Sequence, residues 1–222
     1  MNIETQQLQD LNAKNLSTHK SQFDFLTQTL SKSNVDVDQL IKKLADFQVA
    51  IPSWALGAGG TRFGRFFYGG EPASLEQKIE DIGLIHKLTQ TAGAVSLHIP
   101  WDVPEDYNAI KELAALNKIK FDAVNSNTFQ DQKNQKETYK YGSLSNTSAA
   151  VREQAIAHNK EVVEIGNKLG SKSLTVWLAD GASFPGQNNF QTALTHTQNS
   201  LISIYEDMPT DWKMFIEYKP YE

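Results

Sequence analysis

The sequence of 222 residues contains no cysteine. A disulfide-stabilised scaffold, a zinc site built from thiolates and a cysteine nucleophile are therefore excluded. Positive charge is also scarce, because 21 Lys and Arg stand against 26 Asp and Glu and the formal net charge is -5. Non-specific binding to nucleic acid depends on clustered Lys and Arg, so we expect no nucleic-acid partner.

Long apolar runs are missing as well. No stretch approaches the roughly 18 apolar residues that a membrane span needs, and the first residues do not show the basic and then apolar pattern of a secretory signal. We therefore expect no membrane partner and a cytoplasmic location. Hydrophobic residues still make up 40% of the chain, which is enough for a core, and the length suits one domain.

The pattern of apolar residues predicts an N-terminal helical extension followed by alternating strands and helices. Residues 1–46 carry apolar stripes at helical spacing, and residues 47–222 contain five short runs typical of strands. These runs cover 47–54, 94–100, 119–125, 173–179 and 213–219. Helices between successive strands predict an α/β fold with a parallel sheet. On the pattern alone, both a doubly wound sheet and a barrel remain open.

Single residues indicate where several helices begin and end. Ser74 stands three residues before Gln77, which is the spacing of a capping box. Gly93 and Gly170 are placed to end the helices that precede the second and the fourth strand.

Glu217 and Lys219 lie two residues apart on the last predicted strand and so on one face of it, which we expect to be buried. Burying either charge alone is costly. The pair is therefore a metal-binding carboxylate beside a cation that contacts substrate, or a structural ion pair at a sheet edge. The residues themselves favour neither interpretation.

His98 lies near the end of the second predicted strand. An imidazole near its reference pKa both gives and takes a proton around neutrality, so His98 is a candidate acid or base, or a ligand of a sugar oxygen; a structural histidine is the alternative. His86, His158 and His196 fall on predicted helices, where solvated or packing roles are expected. No HxH or HxxxH spacing occurs, so a metal site would have to be assembled from separate strands.

Aromatic residues follow several of the predicted strands. Trp54, Trp101 and Trp177 lie at strand ends, and a glycine-rich segment, 57–70, carries Phe63 and three further aromatic residues. This segment does not match a dinucleotide or phosphate-binding fingerprint. Core packing would explain any one tryptophan, but three at corresponding positions suit a pocket that stacks against the apolar faces of a sugar.

Blocks of residues at successive strand ends together resemble the L-rhamnose isomerases of broad aldose specificity. The blocks are IPSW at 51–54 followed by FGRF at 63–66, VSLHIPWD at 95–102, NSNTF at 125–129, LTVWLADG at 174–181 and FIEYKP at 215–220. The resemblance covers essentially the whole chain. It implies a xylose-isomerase-like (β/α)8 TIM barrel, of which about five βα units are present and the C-terminal units are missing.

The resemblance also implies an activity and a metal site. Members of this family interconvert aldoses and ketoses with two divalent metal ions, commonly Mn2+. Glu217 resembles a carboxylate ligand of these ions, Lys219 the cation beside the substrate carbonyl oxygen, and His98 the histidine that binds the sugar and assists ring opening. The implied substrate is an aldose such as L-rhamnose.

The remaining implied contacts are aromatic. Trp54, Phe63 and Trp177 resemble the hydrophobic wall of the sugar pocket. Phe129 resembles an aromatic residue that family members lend to the site of a neighbouring subunit, which implies a homotetramer.

Only Glu217 of the expected metal ligands falls within the 222 residues, so we expect this chain by itself to show no isomerase activity. Two alternatives from other classes remain open. One is a non-catalytic sugar-binding or split-barrel subunit, and the other is a metal-dependent hydrolase on a similar barrel.

Overall fold

The computed structural model describes residues 4–57, 69–182, 184 and 186–218. Two helices, α1 (Thr5–Ser31) and α2 (Val37–Ala45), precede a sheet of five strands. The strands are β1 (Ala50–Pro52), β2 (Ala94–His98), β3 (Lys120–Asn125), β4 (Ser173–Leu178) and β5 (Lys213–Tyr218). The helices between them are α3 (Leu75–Thr89), α4 (Tyr107–Leu116), α5 (Ala149–Leu169) and α6 (Phe190–Glu206). The predicted order of elements is confirmed, while the division at residue 46 stays a prediction.

The strands pair in the order β1-β2-β3-β4-β5, and every pair is parallel. One helix lies in each crossover, and the order never reverses, whereas a doubly wound sheet reverses at its switch point. The arrangement is that of five consecutive units of a (β/α)8 barrel. The barrel-type architecture predicted above is therefore confirmed, and the doubly wound alternative is wrong.

The hydrophobic core lies between the sheet and the helices that cross over it. Alternate residues of the central strands are fully buried and pack on apolar helix residues. The principal members are Val95, Leu97, Val124, Leu174 and Val176 from the strands, and Ile79, Ile82, Ile110, Val162 and Ile204 from the helices. Residues of the other parity on β4, such as Thr175 and Trp177, are only half-buried, which leaves that face available for a site.

Local residues end the helices much as predicted, with one exception. Ser74 caps α3 by accepting a hydrogen bond from the Gln77 N–H at 3.4 Å, and Gly170 ends α5 with φ of 90°. Gly93 does not end α3, because Gln90 adopts the left-handed conformation, with φ of 59°, and closes the helix earlier. Gly93 instead leaves room for the Gln48 side chain, since a Cβ there would lie 2.5 Å from the Gln48 Oε1 atom, which accepts the Gly93 N–H at 3.0 Å.

The first strand is shorter than predicted. Only Ala50–Pro52 pairs with β2, because Ser53–Ala55 turns at once into a short 3-10 helix. The side chain of Gln48, which precedes the strand, donates to the carbonyl oxygens of Ala45 and Gln90 and ties the end of α2 to the end of α3.

The helix α1 contributes no buried residue. In the part of the chain that the structure describes, no helix combines the length and the apolar character that crossing a membrane requires.

Candidate functional site

Five rings form one continuous cluster at the carboxyl ends of the strands. His98 lies at the centre, with its ring centroid 5.2 Å from Trp54, 4.6 Å from Trp101 and 5.5 Å from Phe129. Phe129 in turn packs on Trp177, with 4.1 Å between ring centroids. Four residues that the sequence analysis assigned to a sugar site, Trp54, His98, Phe129 and Trp177, are therefore brought together.

The parallel register explains why residues so far apart in sequence meet. His98 pairs with Asn125, and Asn125 with Thr175, so the ends of β2, β3 and β4 lie level with one another. Trp177 follows Thr175 by two residues and therefore points to the same face of the sheet. Each ring belongs to a strand end or to the loop that follows it, which is where barrel enzymes place their active sites.

Burial changes the chemistry of His98. The side chain is almost fully enclosed, and this loss of hydration lowers the pKa of His98 to about 4, although the nearby Asp102 carboxylate opposes the shift. The assumption that His98 stays near its reference pKa is therefore wrong. Neither ring nitrogen has a well-aligned hydrogen bond to the described residues, although the Ser126 backbone lies near enough to the ring to act against the lowering of the His98 pKa. At neutral pH, His98 is an uncharged ring with one donor and one acceptor nitrogen.

Asp102, for which no local pattern predicted a role, organises the same region. Its carboxylate accepts hydrogen bonds from the Ser53 hydroxyl and from the His98 backbone N–H, the latter at 2.8 Å. It also forms an ion pair with Lys78 at 2.7 Å, and its side chain is 1% exposed. The loop after β2 is thereby joined to the end of β1 and to α3, which fixes the residues next to Trp54 and Trp101. The block at 95–102 contained Asp102, but nothing local indicated its partners.

Asp180 performs a similar task after β4. Its carboxylate accepts the backbone N–H groups of Ser143 and Ser145 and the Ser143 hydroxyl, at 2.8 to 2.9 Å. The long loop between β3 and α5 is thus attached to the end of β4. A cavity of about 550 Å3 opens between this loop and the loop that follows β4. It is lined in part by Phe129, Lys140 and Tyr141.

His158 also contacts this region, although the sequence analysis gave it a packing or solvated role. Its Nε2 atom accepts the backbone N–H of Asn127 at 3.0 Å. Beside that contact, the side-chain oxygens of Ser126, Asn127 and Thr128 are buried and make no hydrogen bond with the described residues. Buried polar atoms of this kind are rare in folded proteins.

Glu217 lies apart from the ring cluster. It pairs in register with Trp177, so the two side chains share one face of the sheet. The expectation that this face is buried is wrong at Glu217, which is exposed because, among the described residues, β5 has a neighbouring strand on one side only. Phe63 and Lys219, the two other residues assigned to the site, lie outside the described residues.

That Phe129 enters the site of a neighbouring subunit stays a prediction, as does the homotetramer. Within this chain, the Phe129 ring packs on His98 and Trp177.

The described residues do not fit a site for two divalent ions. Across residues 4–57, 69–182, 184 and 186–218, no group of three or more His, Asp or Glu side chains is placed to hold a metal ion. Glu217 is exposed and stands without such a group. One carboxylate cannot complete the four to eight ligands that divalent ions take in proteins.

Two curated proteins match almost the whole chain. A protein of Rhizobium meliloti with the printed name "Probable sugar isomerase" is 46% identical over 220 residues, which are 99% of this chain and 51% of the relative. A protein of Mesorhizobium japonicum with the same printed description is 49% identical over 197 residues, which are 89% of this chain and 46% of the relative. The chain spans about half the length of the curated relatives it matches. No protein-family model matches it.

Solved structures resemble the chain more distantly. The D-psicose 3-epimerase of Clostridium cellulolyticum H10, solved with D-tagatose, is 12% identical with a TM-score of 0.42, over 64% of this chain and 46% of the epimerase. A TM-score below 0.5 carries no weight for function, and the architecture assigned above rests on strand order alone.

Proposed function

We propose that this chain is the sugar-binding half of a metal-dependent aldose–ketose isomerase that acts on L-rhamnose and related aldoses. One observation carries the proposal: Trp54, His98, Phe129 and Trp177 form one ring cluster at the carboxyl ends of the strands. The printed names of the two relatives support it.

The ring cluster has the properties that sugar recognition requires. Aromatic rings cover the apolar C–H faces of a sugar and exclude water, while a few polar atoms select its hydroxyl groups. His98 is suited to the second task, because its pKa of about 4 keeps the ring neutral at physiological pH and neither nitrogen has a well-aligned partner among the described residues. It would donate to one sugar oxygen and accept from another.

This environment changes the proposed role of His98. A ring that is neutral at pH 7 is a poor acid. Its unprotonated nitrogen can still accept a proton from a hydroxyl group of the sugar while that proton is transferred. We therefore assign His98 the binding of the sugar near its ring oxygen and, during ring opening, a balanced proton shift. The unprotonated nitrogen accepts the proton of the C1 hydroxyl group while the protonated nitrogen gives its proton to the ring oxygen, as the bond between C1 and the ring oxygen breaks, so no imidazolium is needed as an acid.

Isomerisation moves hydrogen between C1 and C2 and develops charge on the adjacent oxygens, where a cation stabilises it. We assign that cation to Lys219. Glu217 is the one residue of the chain that we assign to a metal, and a pair of Mn2+ ions needs further ligands that the described residues do not supply.

The first experiment tests sugar binding by the chain itself. Saturation-transfer NMR with L-rhamnose should show transfer from the aromatic resonances to the sugar C–H groups. The transfer should be lost in the His98→Leu and Trp177→Leu variants and retained in the His196→Leu variant, whose ring contacts the Ser145 carbonyl oxygen instead. Equal transfer in all four folded proteins would contradict the assigned site.

The second experiment tests turnover. A chimera that joins residues 1–222 to the C-terminal half of the Rhizobium meliloti relative should convert L-rhamnose to its ketose in the presence of Mn2+. In this chimera, the Lys219→Ala variant should lose most of kcat and retain its affinity for Mn2+. A chimera that binds Mn2+ and sugar without any turnover would favour the second candidate function, a non-catalytic sugar-binding subunit. For the chain alone, this second candidate is favoured by the lack of a metal-ligand group among the described residues.

A further inference from the structure

His158 lies on α5, behind the loop that carries Phe129. Its side chain is 15% exposed, and its Nε2 atom accepts the N–H of Asn127 at 3.0 Å, across 31 residues of sequence. Asn127 stands two residues before Phe129. The contact therefore holds the backbone of the loop close to the point where the Phe129 ring enters the cluster.

The same loop is fixed on its other side by β4. The Ser126 N–H donates to the Thr175 carbonyl oxygen of β4 at 3.2 Å. Within the loop itself, the Asn127 side chain donates to the Gln130 carbonyl oxygen at 3.1 Å. Between the strand and the helix, His158 is the partner of the Asn127 backbone N–H. A buried N–H that loses its acceptor is left without compensation for its lost hydration, so the contact matters for the conformation of the loop.

The geometry defines the protonation state of the ring. A nitrogen that accepts a hydrogen bond carries no proton, so the neutral ring must bear its proton on Nδ1. The Nδ1 atom faces the Glu161 Oε2 atom at 3.5 Å, which suits this tautomer. Protonation of Nε2 would set two N–H groups against each other and break the contact with Asn127.

We propose that His158 is a positioning residue, whose neutral, Nδ1-protonated ring holds the loop after β3 so that Phe129 packs on Trp177 and His98. The consequence for sugar binding rests on the function proposed above, whereas the positioning itself does not.

The surroundings of His158 favour the neutral form. Burial lowers the pKa of His158 below its ordinary value, while the Glu161 carboxylate and the Ile99 backbone act in the opposite direction. From β2, the His98 ring would add repulsion if both rings were charged. From the loop before α5, Lys133 and Lys136 line the same cavity as His158.

The first test measures the tautomer directly in the wild-type chain. Long-range 1H–15N NMR of the histidine rings at pH 7 should show a protonated Nδ1 and an unprotonated Nε2 in His158. A ring protonated on Nε2 at this pH would overturn the proposal. No variant is involved, so a folding defect cannot obscure the result.

The second test follows the loop through NOEs between the Phe129 ring and the Trp177 indole. As the pH of the wild-type chain is lowered, these NOEs should weaken, and the midpoint pH of this loss should equal the midpoint pH at which the His158 nitrogens titrate. The His158→Gln variant places an uncharged acceptor near the position of Nε2, and it should retain the NOEs through that pH range. The His158→Leu variant should lack them already at pH 7.

The control is His196→Gln, which removes another helix histidine in contact with loop backbone. In this variant the NOEs between Phe129 and Trp177 should depend on pH as they do in the wild type. Full NOE intensity in a folded His158→Leu variant, or NOEs that are unaffected as His158 titrates, would overturn the proposal. Neither test uses a sugar, so the absence of sugar binding would count against the proposed function and leave this result intact.

Discussion

Two regions carry the residues expected at the site, and their surroundings differ sharply. One is the rim of the sheet, formed by the carboxyl ends of β1 to β4 and the loops that follow them, and the other is the edge strand β5. At the rim, His98 and Asp102 are 7% and 1% exposed. On β5, Tyr218 is 74% and Phe215 50% exposed, and Glu217 is exposed as well. The rim residues are covered by neighbouring strands, by loops and by one another, whereas β5 has one neighbouring strand among the described residues.

A cluster of rings and a metal site would place different demands on this chain. A ring cluster can be assembled from four consecutive βα units, because each unit brings its own loop to the same edge of the sheet. A metal pair needs several carboxylates and imidazoles at one point, and β5 offers Glu217 alone. Changes at the rim should therefore affect this chain strongly, and changes at the edge weakly.

The largest effect is expected from Asp102→Ala at the rim. The change removes the buried carboxylate that partners the partly buried Lys78 ammonium, and it leaves the His98 N–H without its acceptor. Breaking a buried ion pair of this kind costs about 3–5 kcal/mol, which urea unfolding at pH 7 would measure. The matched control is Asp211→Asn, which removes the exposed partner of Lys172 and should change the midpoint very little. Equal losses in both variants would erase the contrast between buried and exposed positions.

The second effect is a dependence of stability on pH that arises from His98. Its pKa is about 4 in the folded chain, while the unfolded chain has an ordinary histidine pKa of about 6.5. Below pH 6.5 the unfolded chain therefore binds the proton first, and stability falls as the pH drops toward 4 and then levels off. The loss due to His98 is about 3 kcal/mol.

Urea unfolding between pH 8 and pH 4 would measure this dependence. The His98→Gln variant should lose that part of the pH dependence and keep the part due to His158, whose lowered pKa acts with the same sign. A variant with the full wild-type dependence would show that burial of His98 is not its cause.

A smaller effect is expected from Phe129→Leu. The change keeps an apolar side chain but removes the ring that packs 4.1 Å from Trp177. Aromatic pairs contribute about 0.5–1.5 kcal/mol beyond the area they bury, so the free energy of unfolding should fall by about 1 kcal/mol. Tryptophan fluorescence should change at the same time, since Trp177 becomes more accessible. The corresponding change on the edge strand, Phe215→Leu, should affect both measurements less.

The smallest effect is expected from Glu217→Gln. Exposed side chains without a specific partner rarely change stability by more than about 0.5 kcal/mol, and no such partner is present among the described residues. Calorimetric titration with Mn2+ should show weak binding by the wild-type chain and by the variant alike. Micromolar affinity in the wild type that is lost in the variant would mean that the edge strand carries a complete metal site, and would remove the contrast with the rim.

Much of the fold and part of the site could be predicted from local patterns. The helices and strands follow from apolar periodicity, and the ends of α3 at Ser74 and of α5 at Gly170 follow from the conformations that Ser and Gly favour. The position of His98 at a strand end and the aromatic residues that follow other strands were also visible. The prediction that Gly93 ends α3 was wrong, because Gln90 ends the helix earlier and Gly93 leaves room for the Gln48 side chain.

The roles of Asp102 and His158 could not be predicted in this way. The partners of Asp102 include Ser53, which is 49 residues away, and His158 binds an N–H 31 residues away. Neither partner forms a spacing motif, and each contact exists only because parallel strands bring separate loops to one edge of the sheet. The exposure of Glu217 follows from its position on an edge strand, which its own residue type does not reveal.

By itself, the sequence determined the alternation of strands and helices, the caps and the residue types available at each strand end, because periodicity and capping depend on neighbours within a few positions. Only the tertiary structure decided that the rings meet, that His98 is neutral at physiological pH and that His158 holds the loop of Phe129. Hydrogen-bond partners and desolvation depend on atoms that are distant in the chain and adjacent in space, and these become defined once the sheet has formed.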